Sequence, residues 1–363
     1  MIESPLKPHT RKQGNVMTIR NASLIVIAAL TLTACGSGEG SGAARDQIRA
    51  VGSSTVFPFA TAVSEMFVSN NSGFKSPIIE STGTGAGIKQ FCAGVGVGHP
   101  DIANASRQLK RSEFDDCAKN GVTEITEIQI GIDGIAFAES KTGPALTLTI
   151  ADVYKALAAN PFGKPNTAKT WKDVNATLPA VPILVYGPPS TSGTRDALAE
   201  LILTKGCDTD PAMVTLKKTN SDDHKAVCTR IREDGVYVDA GENDNLIVSK
   251  IASNPTAVGI FGFSTLEANM DKLKDVPLGG VPATYATISD FSYPGARPLY
   301  IYVKNAHLKA IPGIKEFVAE FAKSWGPDGV LQKRGMVIAP EAIRTLNQAQ
   351  ALEMKPLNPE NLK

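Results

Sequence analysis

Ile48-Arg49-Ala50-Val51-Gly52-Ser53-Ser54-Thr55-Val56-Phe57-Pro58 is the stretch whose reading decides the fold. Ile48–Val51 reads as a short strand, and it ends at a glycine followed by three hydroxyl residues. Val56, Phe59, Ala60, Val63 and Phe67 then recur at helical spacing. Pro58 suits the first turn of that helix, where no backbone N–H is needed. The same order of strand, small-residue loop and helix returns at once. Pro77–Glu80 is the next strand, Ser81-Thr82-Gly83-Thr84-Gly85-Ala86-Gly87 the loop, and Ile88, Phe91, Cys92 and Val95 mark the helix. Asp101-Ile102-Ala103 is a third strand that runs into Asn104-Ala105-Ser106-Arg107. Repetition of this unit predicts an α/β chain with an open sheet, whose ligand sits off the carboxyl ends of the strands.

Further along, Ile125–Phe137 is a long extended run with Ile128, Ile130 and Ile132 alternating. Helical pattern follows over Ile150–Ala158, then a strand over Ile183–Tyr186. That strand leads through Gly187-Pro188-Pro189 into Ser190-Thr191-Ser192-Gly193-Thr194-Arg195 and a helix over Asp196–Lys205, with Leu198, Leu201 and Ile202 on one face. Asp196 complements the positive end of that helix and Gly206 is a suitable stop. Pro298–Val303 is a late strand, and Ile314, Phe317, Val318 and Phe321 form an amphipathic helix.

Three stretches therefore join glycine to small hydroxyl residues, at 52–55, 81–87 and 190–195, a fourth at 104–107 carries a serine without glycine, and two of the four end in arginine. A helix N-terminus leaves backbone N–H groups unpaired and carries partial positive charge. Glycine lets backbone approach a ligand closely, and serine or threonine adds donors. Singly, each stretch is an ordinary N-cap after a turn. Converging on one point, they would make a site for a small oxyanion.

The start of the chain reads as an export signal. Leu24–Ala34 is apolar but too short to span a bilayer, Arg20 precedes it, and Leu32-Thr33-Ala34-Cys35 resembles a bacterial lipobox. Residues 1–35 are thus expected to be a lipoprotein signal peptide with Cys35 as the lipidated residue, the alternative being a plain secretory signal. Residues 36–45, rich in glycine and serine, read as a flexible tether. Loss of 1–35 takes Lys7, Arg11, Lys12, Arg20 and Glu3 with it and leaves 33 basic and 35 acidic residues. No basic run or aromatic-interleaved patch appears, which argues against nucleic acid as a partner. Four cysteines remain, Cys92, Cys117, Cys207 and Cys228, an even number that suggests disulfides in an exported chain. Three connectivities are open. Cys92–Cys117 and Cys207–Cys228 are favoured because they are nearest in sequence and keep each bridge inside one predicted domain. The spacings do not resemble a zinc site, His99, His224 and His307 are scattered, and no metal is expected.

These loops resemble those of a known family, the periplasmic phosphate-binding proteins of high-affinity phosphate ABC transporters. Gly52–Pro58 looks like the family's first phosphate loop, Thr82–Gln90 the second, Asp101–Arg107 the third and Ser192–Arg195 the fourth; Asn243-Asp244-Asn245 and Val258–Gly262 also resemble family segments. The similarity covers nearly all of the mature chain, and the order and spacing of the motifs carry it. It implies a type II periplasmic-binding fold, two α/β lobes joined by two crossing strands around a ligand cleft. The crossings would be Ile125–Phe137 and roughly Arg297–Val303, with lobe one at 46–132 plus 298–363 and lobe two at 133–297. The implied phosphate-binding residues are Ser54, Thr55, Val56, Thr84, Ser106, Arg107, Ser192, Gly193, Thr194 and Arg195. The implied partners are inorganic phosphate, the membrane permease of an ABC transporter, and the membrane through a lipid anchor only. A monomer without cofactor, held in the periplasm or cell envelope, completes the expectation.

Two departures stand out. Where some members carry Ser-Asp in the third loop, this chain has Ser106-Arg107, and the arginine that some members place shortly before Ser-Gly-Thr is replaced by Pro188-Pro189. Arg107 and Arg195 could supply the charge from new positions, since a guanidinium suits bidentate oxyanion contacts, or each could pair with a nearby carboxylate. Asp196, Asp101 and Asp244 are candidates for the missing proton acceptor, each also readable as a cap. The expected activity is binding, not catalysis. An exported phosphatase-like hydrolase is the alternative, but no Gly-x-Ser-x-Gly elbow or metal cluster supports it, and Ile88 stands where a dinucleotide motif needs glycine. A surface lipoprotein that senses or sequesters an oxyanion is the other alternative.

Overall fold

The computed structural model describes residues 45–241 and 243–362. The signal peptide, Cys35 and nearly all of the tether lie outside them. Nine strands make one sheet: β1 (Arg49–Gly52), β2 (Ile78–Ser81), β3 (Ile102–Ala105), β4 (Ile125–Ser140), β5 (Val185–Gly187), β6 (Tyr237–Asp239), β7 (Val258–Gly262), β8 (Leu273–Asp275) and β9 (Ala296–Lys304). The path runs β2-β1-β3-β9-β4-β7-β5-β6, with β8 paired to β4 off that path. β1 pairs in parallel with β2 and β3, and β5 in parallel with β6 and β7. Between these parallel ends, β9 and β4 run antiparallel to their neighbours. The fold is therefore two α/β lobes joined by two long crossing strands, and the sheet is mixed.

The apolar spacing builds helices close to where it predicts them. The helix α1 (Phe57–Asn70) buries Phe59, Ala60, Val63 and Phe67 against β1, β4 and β9. Each such large apolar side chain contributes about 1.5–3 kcal/mol on burial. A second core gathers around Ile88, Phe91, Ala103, Cys117 and Tyr302, and a third lies on the other half of the sheet around Phe137, Tyr154, Trp171, Ile202 and Phe261. β4 is buried on both faces for most of its length, which is why it reads as a nearly continuous apolar run.

Two details differ from the sequence reading. The helix α2 (Thr84–Phe91) stops before Val95, which lies exposed in a loop; Gly94 and Gly96 take φ values of 158° and 108° that end helical pairing. The segment after Ser192 starts its helix at Gly193 and passes through a π-helical stretch over Leu198–Leu203 before one more helical turn at Thr204–Cys207. Disulfides join Cys92 to Cys117 and Cys207 to Cys228. His224 lies within 4.8 Å of both sulfurs of the second bridge, yet its Nε2 pairs with Asp208 at 2.7 Å. No helix among the described residues is long and apolar enough to cross a membrane.

Candidate functional site

The loops 52–55, 81–84 and 105–107 leave the carboxyl ends of three adjacent strands. Register sets this: Gly52 is opposite both Ser81 on β2 and Asn104 on β3. Only glycine fits at 52, since φ is +137° and a Cβ would fall 2.1 Å from the Asn104 carbonyl oxygen. The Gly52 carbonyl in turn accepts from Thr82 and Gly83 N–H at 2.8 and 2.9 Å, which seats the second loop on the first. The Thr84 hydroxyl lies 3.0 Å from the Ser106 hydroxyl and accepts from Ser106 N–H at 3.1 Å, joining the second loop to the third. Val56, wholly buried, holds the entry to α1, its N–H reaching the Ser53 hydroxyl at 3.3 Å.

The fourth loop meets the first across the cleft. Thr55 donates its hydroxyl to the Gly193 carbonyl at 3.2 Å, and the Ser54 hydroxyl donates to Asp196. Ser192 caps its own helix, its hydroxyl accepting from Thr194 N–H at 3.2 Å. Ser54, Thr55, Ser192, Gly193 and Thr194 line one cavity of about 270 Å³, and Asp133 and Asp244 also border it. Ser106 and Arg107 line a second cavity of about 390 Å³ with Glu200 and Arg297.

Arg297 stands between the two. It is 3 % exposed, and its Nη2 donates to Thr55 Oγ1 at 2.6 Å and to the Gly193 carbonyl at 3.4 Å. Its Nε is held by Asp133 at 3.0 Å and its Nη1 by Glu200 at 2.7 Å. Burial raises the Asp133 carboxyl above its ordinary range, against the pull of Arg297.

The two arginines singled out from sequence are engaged elsewhere in this structure. Arg107 forks onto Glu113 at 2.9 and 2.7 Å. Burial works against the Glu113 carboxylate, yet Arg107 and the Lys110 N–H hold it below the usual glutamate range. Arg195 stacks over the Tyr237 ring at 4.3 Å and donates to the Pro188 carbonyl at 3.4 Å. Of the three candidate acceptors, Asp196 takes the Ser54 hydroxyl and Asp244 takes the Thr265 hydroxyl at 2.7 Å. Asp101 lies at the other end of β3, buried between Arg45, Arg49 N–H and His307.

A family model described as a PBP superfamily domain matches residues 37–324. The chain belongs to the PBP superfamily. It is 32 % identical to Protein SphX of Synechococcus elongatus over 315 residues, which cover 85 % of this chain and 82 % of the relative. It is 30 % identical to the phosphate-binding protein PstS of Staphylococcus saprophyticus over 332 residues, 89 % of this chain and 90 % of the relative. Among solved structures, a possible phosphate binding protein from Planctomyces limnophilus aligns with a TM-score of 0.68 at 28 % identity, covering 85 % of this chain and 98 % of that one. An ABC-type phosphate transport receptor from Vibrio cholerae shares the fold, with a TM-score of 0.56 at 20 % identity over 80 % of this chain and 99 % of that one. The superfamily is one of substrate-binding transport proteins and not an enzyme family.

Within this PBP, Arg297, Asp133 and Glu200 are the residues that sequence motifs miss. For Asp133 and Arg297 the available signal is a charge set inside a crossing strand's apolar run, which is costly unless paired.

Proposed function

We propose that this protein captures inorganic phosphate between its lobes and delivers it to the membrane permease of an ABC transporter, without catalysis. The observation that carries this reading is the meeting of Thr55 and Gly193, from loops of opposite lobes, on the buried Arg297 guanidinium. Hydroxyls, loop N–H groups and a fixed cation are the donors a tetrahedral dianion takes. The names of the relatives, PstS and a possible phosphate binding protein among them, point to the same ligand. The set Ser54, Thr55, Val56, Thr84, Ser106, Ser192, Gly193 and Thr194 is proposed to surround it, with Arg297 as the principal charge and Arg107 and Arg195 at the rim.

Lobe one is proposed to span 46–132 plus 298–363 and lobe two 133–297. The separate apolar cores support this division, although Val337 and Ala339 pack onto the second lobe's core. The protein is proposed to work as a monomer in the periplasm or cell envelope, held to the membrane by a lipid on Cys35. Calorimetric titration and thermal melting of the mature protein with phosphate and with sulfate test the function. Phosphate at about 100 times its dissociation constant should add about 2.7 kcal/mol of stability. A melting temperature unmoved by phosphate would overturn the reading.

A further inference from the structure

Glu200 is set apart from the other acids of the cleft by how it is held. Asp133 faces Arg297 directly in the β4–β9 ladder and is fixed by its strand. Asp196 takes a hydroxyl from the opposite lobe. Glu200, by contrast, projects from the π-helical stretch, keeps its side chain 55 % exposed, and touches the site through a single ion pair to Arg297 Nη1 at 2.7 Å. It also faces Arg107, whose guanidinium feels its charge, and it shares the second cavity with Ser106, Arg107 and Arg297. One carboxylate thus sits before two guanidiniums and a hydroxyl. Its planar pair of oxygens offers an arginine what two oxygens of a tetrahedral oxyanion would offer.

We propose that Glu200 is a displaceable internal counter-ion of the oxyanion site: it occupies the Nη1 edge of Arg297, and the bound anion takes that edge by turning Glu200 out to solvent. Arg297 itself stays in place, because Asp133 and Thr55 fix its other donors. The exposure of Glu200 makes the exchange cheap, since an exposed carboxylate regains its hydration on leaving. Phosphate affinity is therefore a difference between two pairings of one guanidinium, and an anion of low charge competes poorly with the resident carboxylate. This inference rests on the phosphate-binding reading and refines it.

The test is calorimetric titration of phosphate into the mature protein and its Glu200→Gln, Arg297→Gln and double variants. Glu200→Gln should bind about threefold to fivefold more tightly, the range of an exposed ion pair, and that gain should vanish in the Arg297→Gln background. If Arg297→Gln does not fold, Arg297→Lys serves in the cycle, and the gain should shrink with the loss of the Nη1 edge. Unchanged or weaker binding by Glu200→Gln overturns the inference, as does a gain of equal size with and without Arg297, which would mean general repulsion. A wild-type protein that takes no phosphate overturns the functional reading and this inference with it. Wild-type binding with an unmoved Glu200→Gln overturns this inference alone.

Discussion

Gly193→Ala separates capture of the ligand from stability of the fold. Gly193 opens its helix with ordinary backbone angles, so alanine suits its own conformation and is the better helix former. The added Cβ, however, would lie 2.5 Å from Thr55 Cα, 2.9 Å from Thr55 N and 3.0 Å from Thr55 Oγ1. The two nearest are backbone atoms of the opposite lobe and cannot rotate aside. Carbon atoms rest about 3.5 Å apart, so the two loops must part by roughly 1 Å. The 3.2 Å bond from Thr55 to the Gly193 carbonyl and the 3.4 Å contact from Arg297 to the same oxygen would then exceed hydrogen-bond length. Loss of one or both, the second of them charge-assisted, costs about 1–3 kcal/mol. That cost falls only on the closed arrangement, so phosphate affinity should drop about 5- to 150-fold. The melting temperature without added phosphate should move by less than about 2 °C. Calorimetric titration beside a melting curve gives both numbers. Unaltered affinity would refute the reasoning, because the bound protein would then not use the Thr55–Gly193 contact at all.

Two further outcomes follow from residues outside the cleft. Burial pushes the Asp275 carboxyl up to about 6, opposed by one bond from Ala283 N–H. Since an unfolded aspartate titrates near ~3.9, the folded chain holds the proton more tightly, and stability falls as pH rises from about 4 to about 6 and stays lower above it. Asp275→Asn should therefore melt higher than wild type at pH 7.5, by about 1–2 kcal/mol after allowance for partial exposure, with the two curves converging near pH 4; a variant less stable at pH 7.5 counts against this. Replacing both Cys207 and Cys228 by serine opens a bridge between residues 21 apart. Urea unfolding should show a loss of about 3 kcal/mol with phosphate affinity little changed, and an unmoved unfolding midpoint would contradict it.

What is legible in the sequence is what neighbours in sequence determine. The first loop is set by Gly52 and the hydroxyls after it, and the buried face of α1 by Phe59, Ala60, Val63 and Phe67, all within one short segment. The end of α2 was equally open to local reading: apolar spacing runs on to Val95, but Gly94 and Gly96 interrupt it. The fate of Arg107 is half legible, because Glu113 lies only six residues ahead, whereas Tyr237 beneath Arg195 comes from a distant strand. Arg297 belongs to no local motif. Its partners Asp133, Glu200 and Thr55 are 164, 97 and 242 residues away in sequence. Yet the two crossing strands carry a physical clue. β4 is largely buried and β9 is buried over its second half, yet β4 carries Glu127, Asp133 and Glu139 and β9 carries Arg297 and Lys304. A charge there survives only if something opposite neutralises it. The antiparallel ladder meets this for one pair by setting Asp133 against Arg297, whereas Glu127 faces Tyr302 and Lys304 faces Ile125. That pairing leaves the far edge of the guanidinium facing Thr55 and Glu200, so the strand pair that joins the lobes also presents the cation between them.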